Sequence, residues 1–247
     1  MDKVLSPVYF VYKLWIGAVF WSTLLVLFPF FWILLLNRKT YHRAFRLKRF
    51  WSWLIRTLIF CPVVIKGKSK LPKKSFVAVS NHISYLDTVF MYALLDRYFL
   101  FIGKAELLKW PLFSLFFKKQ DIPVHRGNPR EAYMSLKLAG EALDRGENMA
   151  IYPEGTIPDE APKMRPFKTG AFKLAIQKQV PIVPIVWHNN HRVMLDPSQL
   201  FSFSLPQVIK VTVLDPIPTH GKNEADVVSL RDQVFDTIQQ HLKNENR

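Results

Sequence analysis

The sequence predicts an α/β fold in which helices cover a mixed, mostly parallel β-sheet and N-terminal membrane helices precede the sheet. Three observations lead to this prediction. Residues 14–36 form an apolar run without a charged side chain. From about residue 70 onward, short apolar runs alternate with helical patterns. Hydrophobic residues make up 49% of the 247 residues, so one sizeable core is available.

The apolar run near the N-terminus is long enough to cross a bilayer, because about 20 apolar residues suffice. Six cations follow within a short stretch and are suited to anionic headgroups on the cytoplasmic side: Arg38, Lys39, Arg43, Arg46, Lys48 and Arg49. Two arrangements remain open. Either the run is a single span, or it bends near Pro29 and a second helix over Phe45–Phe60 lies beside it in one leaflet. Residues 1–65 are therefore assigned to membrane attachment.

Residues 66–247 are expected to form one α/β domain. The alternation of strand and helix patterns predicts a sheet covered by helices. The predicted strands are Phe76–Ser80, Phe99–Ile102, Met149–Tyr152, Ile182–Trp187 and Val208–Leu214. The predicted helices are Thr88–Asp96, Ala105–Phe117, Pro129–Arg145, Gly170–Lys178 and Glu224–Leu242.

Composition narrows the class of partner. The 34 Lys+Arg against 19 Asp+Glu leave a formal charge of +15, which favours a polyanionic partner. The 7 Trp and 20 Phe favour a membrane surface, and no nucleic-acid-binding module is recognisable, so we expect no nucleic-acid partner. The single cysteine, Cys61, excludes an intramolecular disulfide and a multi-cysteine metal site.

The most informative motif is His82 followed by Asp87, directly after the strand that ends at Ser80. Helical positions five apart lie about 140° apart around the axis, so a regular helix would not bring the two side chains together. A turn between strand and helix could let Asp87 reach His82. The carboxylate would then fix the imidazole tautomer and leave the other nitrogen as a base. A structural histidine at a strand end is the alternative.

A second motif, Glu154-Gly155-Thr156, follows the strand that ends at Tyr152. It is therefore expected beyond the carboxyl end of that strand, where open α/β sheets bind ligands. Cations near strand ends add a candidate phosphate site, because Arg and Lys bind phosphate oxygens. The candidates are Lys104, Arg126, Arg165 and Lys168.

With these motifs, the sequence resembles the glycerolipid acyltransferases. Asn81-His82 with Asp87, the segment around Arg126, Glu154-Gly155-Thr156 and VPIVPI at 180–185 follow in the order of the family's four motifs. PFKTGAF at 166–172 is also similar. The resemblance covers roughly residues 75–186 and is nearest to the 1-acylglycerol-3-phosphate acyltransferases, whose bacterial members make phosphatidic acid.

The resemblance implies acyl transfer from acyl-CoA or acyl-acyl carrier protein to the free sn-2 hydroxyl of 1-acylglycerol-3-phosphate, without a cofactor. It implies that His82 and Asp87 are catalytic and that the other motif residues and cations bind substrate. It also implies a location on the cytoplasmic face of a membrane, for a bacterial protein the inner membrane, with anionic lipids and lysophosphatidic acid as partners. Another lysophospholipid, glycerol phosphate or another lipid remains the alternative acceptor.

One departure from the family bears on the acceptor. Many members carry an arginine directly after the Glu-Gly-Thr triplet, whereas Ile157-Pro158-Asp159 stands here. Arg165 and Lys168 are the candidates to supply that charge. A metal site built from His188, His191 and Asp196 is a weaker alternative, because no recognisable pattern provides a further ligand nearby.

Overall fold

The computed structural model describes residues 2–109, 111–125 and 127–245. Its strands are β1 Val63–Lys66, β2 Val77–Ser80, β3 Phe99–Lys104, β4 Ile122–Val124, β5 Asn148–Ile151, β6 Ile182–Trp187 and β7 Ile209–Val213. Its α-helices are α1 Asp2–Leu34, α2 Tyr41–Leu58, α3 Asp87–Leu94, α4 Pro111–Lys119, α5 Pro129–Asp144, α6 Gly170–Lys178 and α7 Val227–Glu245.

The strands form one sheet in the order β1-β7-β6-β2-β5-β3-β4. Every neighbouring pair is parallel except β6 and β7, which are antiparallel. The predicted mixed, mostly parallel sheet is therefore confirmed. The central strands β2, β5 and β6 are buried along their whole length, as expected for strands covered on both faces.

The connections between parallel strands place the helices in two layers. The chain runs from β2 through α3 to β3 in one direction along the sheet, and from β5 through α6 to β6 in the other. Because such crossovers are right-handed, α3 and α6 cover opposite faces. By the same rule α4 lies with α3, and α5 lies with α6. Helices α1 and α2 pack on the α3 layer, whereas α7 packs beside α6.

The predicted elements agree best in the centre of the sheet. The strand Ile182–Trp187 and the helix Gly170–Lys178 have the predicted bounds. The prediction omits β1 and β4, which are only four and three residues long and form the two edges of the sheet. The boundary expected between residues 65 and 66 falls inside β1, which pairs with β7.

Two predicted helices begin differently. A single helix over Ala105–Phe117 is wrong: a 3-10 helix covers Ala105–Lys109, and α4 begins at Pro111. Proline lacks a backbone N–H and suits the first turn of a helix, so a new helix starts there. The last helix begins with a 3-10 turn over Glu224–Asp226, where Asn223 and Asp226 form a capping box.

The N-terminal helices form an antiparallel hairpin. The bend near Pro29, which belongs to one of the two arrangements left open by the sequence, is absent, because α1 continues through Pro29 to Leu34. The chain reverses over residues 35–40 instead, and α2 then runs back along α1. The hydroxyl of Tyr12 donates to the carbonyl of Ile59 at 2.7 Å, and the indole of Trp51 donates to Thr23 Oγ1 at 2.9 Å.

Helix α1 has two apolar faces with different surroundings. One face is buried against α2 and the α3 layer and includes Ile16, Leu24 and Phe31. The other face is exposed: Val26 and Phe30 are 69% and 58% accessible. Residues Ser6–Leu34 have a mean hydropathy of 2.0 and are long and apolar enough to cross a membrane.

A buried ion pair ties α2 to the edge of the sheet. Lys48 Nζ lies 3.2 Å from Asp121 Oδ2, and both side chains are less than 8% exposed. Burial lowers the pKa of Lys48, and the nearby charge of Asp121 opposes that shift. Asp121 directly precedes β4, and its other carboxylate oxygen accepts the backbone N–H of Phe101 in β3 at 3.0 Å. The pair therefore joins the N-terminal hairpin to β3 and β4.

Replacing Asp121 with Asn should destabilise the protein by about 3 kcal/mol, because a buried Lys48 cation would lose its partner. The double variant Lys48→Met, Asp121→Asn should recover most of that loss, since no unpaired charge remains. Denaturant unfolding in detergent micelles measures both changes. Asp215→Asn, which breaks the exposed Lys70–Asp215 pair, is the control and should cost less than about 1 kcal/mol. A double variant as unstable as the sum of its single variants would contradict this account.

Candidate active site

The candidate site lies at a reversal in the strand connections. Strands β2 and β5 are parallel neighbours, yet the chain leaves β2 toward one face of the sheet and β5 toward the other. Such a reversal opens a crevice at the carboxyl ends of the two strands, where α/β proteins bind ligands. His82 follows β2 at this edge, and Glu154 follows β5. The topology alone therefore brings the two strongest motifs together.

His82 and Asp87 are in direct contact. The Nδ1 atom of His82 lies 2.9 Å from Asp87 Oδ2, as expected from a turn between strand and helix. The side chain of His82 is 17% exposed, and that of Asp87 is 0% exposed. Among the residues that the structure describes, the Nε2 atom of His82 has no hydrogen-bond partner. A carboxylate that accepts from Nδ1–H leaves Nε2 as an unprotonated acceptor.

The chain between β2 and α3 is wound around the Asp87 carboxylate. Its Oδ2 atom also accepts the backbone N–H groups of Ile83 at 2.7 Å and Ser84 at 2.9 Å. Its Oδ1 atom accepts the side-chain amide of Asn190 at 2.8 Å. Asp87 is also the first residue of α3, where the helix dipole favours a negative charge. These donors hold a fully buried carboxylate that would otherwise be costly.

An aromatic side chain stacks on the imidazole of His82. The ring of Tyr152 stacks on the ring of His82, with centroids 4.1 Å apart and planes 18° apart. The ring of Phe101 also stacks on that of Tyr152, with centroids 6.0 Å apart. Burial, followed by the nearby charge of Asp87, raises the pKa of Tyr152, so its hydroxyl stays protonated. The stack fixes the plane of the imidazole while Asp87 fixes its rotation.

Glu154 joins the two loops of the site. Its Oε1 atom accepts the backbone N–H of His82 at 2.8 Å, and its Oε2 atom accepts that of Arg165 at 2.8 Å. The residue is 4% exposed. Burial raises the pKa of Glu154 to about 7, and the two backbone hydrogen bonds oppose the shift. In this structure Glu154 positions backbone; its predicted role in substrate binding stays a prediction.

Gly155 allows a close approach between its loop and Lys168. The glycine has φ +77°, and a Cβ atom there would lie 3.1 Å from Lys168 Nζ. The backbone N–H of Lys168 donates to the carbonyl of Pro153 at 2.9 Å. A larger residue would therefore be strained and would push the lysine away. Thr156 and Lys168 are both exposed, so each can contact a ligand.

The other predicted cations are distributed around the same edge. Lys104 ends β3, is exposed, and lies 3.5 Å from Glu106 Oε1. Arg165 is exposed, and its backbone is fixed by Glu154. Arg126 lies outside the described residues. The structure thus brings Glu154, Arg165 and Lys168 together near His82, whereas phosphate binding by these cations stays a prediction.

Sequence reasoning missed two residues of this site. Asn190 comes from the segment after β6, 103 residues away from Asp87, and no local pattern links them. Tyr152 lies at the end of a predicted strand, next to Glu154, and that position was a usable signal. Asn81 belongs to the first motif, and its role is structural. Its amide pairs with both backbone groups of Trp187, at 2.8 and 2.9 Å, and so fixes β2 to β6.

The residues of the alternative metal site, His188, His191 and Asp196, do not form a metal-binding group in the described part of the chain. His188 Nε2 lies 2.9 Å from Thr212 Oγ1. Burial, followed by the charge of Arg192, lowers the pKa of His191. Within residues 2–109, 111–125 and 127–245, no three His, Cys, Asp or Glu side chains are grouped closely enough to bind a metal ion.

A mostly buried imidazole, held by a buried carboxylate in a crevice of an α/β sheet, is the arrangement of an enzyme that uses a general base. The acyltransferase family model matches residues 62–188, about half of the chain, and this range includes His82, Asp87 and Glu154. The chain therefore belongs to the acyltransferase family. The resemblance drawn from its motifs is confirmed.

The curated relatives agree with that assignment. Human 1-acyl-sn-glycerol-3-phosphate acyltransferase alpha is 34% identical over 189 residues, which are 73% of this chain and 63% of the relative. The human beta protein of the same name is 36% identical over 159 residues, covering 63% of this chain and 55% of the relative. The chain thus spans less than two thirds of the length of these relatives.

A solved structure has the same fold. The 1-acyl-sn-glycerophosphate (LPA) acyltransferase PlsC from Thermotoga maritima matches with a TM-score of 0.78. The match covers 100% of this chain and 98% of that one, at 20% sequence identity. The shared fold includes the N-terminal helices as well as the seven-stranded sheet.

The raised pKa of Glu154 predicts a pH-dependent stability. The group has a pKa of about 7 in the folded protein, against roughly 4.3 when unfolded. The folded state binds the proton more tightly, so this contribution is fully present below pH 4.3 and is lost as the pH rises through 7. Relative to Glu154→Gln, which cannot titrate, the wild type should lose roughly 2–3 kcal/mol of unfolding free energy between pH 5 and pH 8.

Denaturant unfolding at several pH values checks this prediction. Glu141→Gln, an exposed position on α5, is the control and should leave the pH dependence of the wild type unchanged. A constant difference between the wild type and Glu154→Gln from pH 5 to pH 8 would show that Glu154 does not bind a proton in this range.

The Asn190 amide should be required for the site as well as for stability. Asn190→Ala removes one donor from the buried Asp87 carboxylate, which should cost about 1.5–3 kcal/mol and lower the rate of a reaction that uses His82 as its base. Asn148→Ala is the matched control. Asn148 is also buried, and its amide donates to the carbonyl of Tyr98 at 2.8 Å, at the amino end of β5, away from the site.

Both variants should unfold more easily, but only Asn190→Ala should lose activity per folded molecule. Rates measured below the unfolding transition of each variant separate the two effects. Equal rates for the two variants would contradict a role for Asn190 in holding Asp87.

Proposed function

We propose that the protein transfers the acyl chain of an acyl thioester, acyl-CoA or acyl-acyl carrier protein, to the free sn-2 hydroxyl of 1-acylglycerol-3-phosphate. The product is phosphatidic acid. The observation that carries this proposal is the 2.9 Å contact between His82 Nδ1 and Asp87 Oδ2 in a crevice of the sheet. The names of the curated relatives support the choice of acceptor.

His82 acts as the general base in this proposal. Its Nε2 atom takes the proton of the sn-2 hydroxyl while the hydroxyl oxygen attacks the thioester carbonyl carbon. Asp87 stabilises the imidazolium that forms and keeps the ring in its orientation. The carbon–sulfur bond then breaks, the ester forms, and the imidazolium returns its proton to the leaving thiolate. Thiols have a pKa of roughly 8.5, so the thiolate leaves without a strong acid.

The cations at the strand ends bind the acceptor's phosphate monoester. Lys104 and Arg126 are the proposed main contacts, and Arg165 or Lys168 supplies the charge that other members place directly after the Glu-Gly-Thr triplet. Support comes from Lys168, which lies against Gly155, and from Arg165, whose backbone is held by Glu154. Thr156 is exposed beside them and offers a hydroxyl to the acceptor.

The transfer is direct and uses no resident cofactor. Neither the serine motif of α/β-hydrolases nor a second cysteine is present in the sequence. Cys61 is buried beside Tyr12, 3.3 Å from its hydroxyl, and burial raises the pKa of the thiol. A thiol in that state is a poor nucleophile. Ping-pong kinetics or an isolated acyl-enzyme would contradict direct transfer.

The N-terminal hairpin attaches the enzyme to the membrane. The exposed apolar face of α1 and the basic turn into α2 support attachment to an anionic bilayer, with the catalytic domain on the cytoplasmic side. Contacts of α1 with the domain support the arrangement in one leaflet. Phe20 stacks on Phe113, and Phe31 packs against Phe116, so α1 lies along the domain over much of its length.

Removing the base tests the mechanism. His82→Ala should lower kcat/KM for acyl transfer by at least about 100-fold, the usual contribution of general base catalysis. Asp87→Asn should be similarly impaired, because an amide can stabilise the wrong imidazole tautomer. His220→Ala, an exposed position in the segment beside the amino end of β6, is the control and should retain full activity. Near-normal turnover by folded His82→Ala would overturn the proposed mechanism.

The acceptor is tested separately. The wild type should acylate 1-acylglycerol-3-phosphate faster than a lysophospholipid without a phosphate monoester and faster than glycerol phosphate, with either donor. Equal rates on all three acceptors would contradict phosphate recognition. A preference for glycerol phosphate would show that this alternative acceptor, and not 1-acylglycerol-3-phosphate, is the substrate.

A further inference from the structure

The long connection between β6 and β7 exposes three apolar side chains near its middle. Leu200, Phe201 and Phe203 are 40%, 61% and 41% accessible. They lie within four consecutive residues, so they form one patch rather than scattered surface positions. Contiguous exposed apolar patches of this kind mark a contact with another molecule or a membrane.

The patch continues the exposed face of α1. Phe201 stacks on Phe10, with ring centroids 5.2 Å apart, and Phe203 packs on Tyr9 at 5.1 Å. The ammonium group of Lys13 donates to Ser202 Oγ at 2.6 Å and to the carbonyl of Gln199. The loop is therefore fixed to the amino-terminal part of α1, where Val8 and Val11 are also exposed.

The position of the patch beside α1 indicates that the patch contacts a bilayer rather than a protein. The exposed face of α1 is apolar from Val8 to Ile33, and the helix is long and apolar enough to cross a membrane. The chain also carries a formal charge of +15, which suits an anionic lipid surface. In contrast, the exposed Tyr133 and Leu138 on α5 belong to the opposite helix layer and are not continuous with α1.

We infer that Leu200, Phe201 and Phe203 insert into the bilayer together with α1, as a separate membrane-contacting element close to the active site. This inference rests on the proposed attachment to membranes and adds a surface outside the N-terminal hairpin. The inserted side chains are aromatic and aliphatic, so their contribution comes from burial of apolar surface and not from charge.

The same segment of chain also reaches the catalytic pair. Asn190, nine residues before Gln199, donates to Asp87 Oδ1. The carbonyl of Met194 accepts the hydroxyl of Ser84 at 2.5 Å, in the turn that carries His82. The segment from Asn190 to Phe203 thus runs from the buried carboxylate to the membrane surface. The connection that carries the proposed inserting side chains is therefore the same one that contacts Asp87 and its turn.

A site-specific label tests insertion directly. Cys61 is fully buried, so Phe201→Cys provides the reactive thiol for a polarity-sensitive fluorophore. Vesicles of phosphatidylcholine with phosphatidylglycerol are the membrane. The label at residue 201 should shift its emission to shorter wavelength on binding, and a label at Tyr133→Cys, matched in exposure at 63%, should not.

Binding and turnover give a second measurement. At about 1 M salt, where charges are screened within roughly 3 Å, Phe201→Ser should weaken vesicle binding by about tenfold, and Tyr133→Ser should not change it. Phe201→Ser should also raise KM for the lipid acceptor in vesicles. Its rate on a short-chain, water-soluble 1-acylglycerol-3-phosphate should equal that of the wild type.

The outcomes are distinguishable. An unshifted label at residue 201 in vesicle-bound protein would overturn loop insertion and leave attachment through the hairpin standing. No binding to any vesicle would overturn both. Equal loss of activity on soluble and vesicle acceptors would show that Phe201 acts on folding or on the site itself, and so would also overturn the inference.

Discussion

The Asp87 carboxylate has no exposed surface, and a buried charge of this kind is stable only when hydrogen bonds replace the water that it loses. Two backbone N–H groups, one side-chain amide and the His82 imidazole surround it. Satisfying the carboxylate forces the chain after β2 into a tight turn. That turn is what brings two residues five positions apart into contact, and it directs Nε2 of His82 away from Asp87.

The rest of the fold arranges the other candidate site residues around that turn. The reversal of connections between β2 and β5 opens the crevice, and Glu154 fixes the His82 loop to the loop of Arg165. Helices α1 and α2 cover the layer that contains α3, whose first residue is Asp87. His82 and Asp87 therefore lie on the same side of the sheet as the apolar surface of α1, as the proposed transfer to a lipid acceptor in a bilayer requires.

Much of this arrangement could be predicted from the sequence, and the failures have physical causes. Ile182–Trp187 is buried on both faces, so its composition alone defines the strand, whereas β1 and β4 are short edge strands with little to bury. The His82–Asp87 contact could be expected only as one option, because it depends on a turn. Asn190 could not be found, since its link to Asp87 exists only after β2 and β6 are paired.

The central claim is that Asp87 holds His82 with Nδ1 protonated and Nε2 available as the base. Nitrogen NMR of the protein with ¹⁵N-labelled histidine tests this most directly. The spectrum is recorded in detergent micelles at a pH high enough for the imidazole to be neutral. The His82 signals are assigned by their loss in His82→Ala. The account predicts a proton on Nδ1 and a proton-free Nε2. A His82 ring with its proton on Nε2 would contradict it.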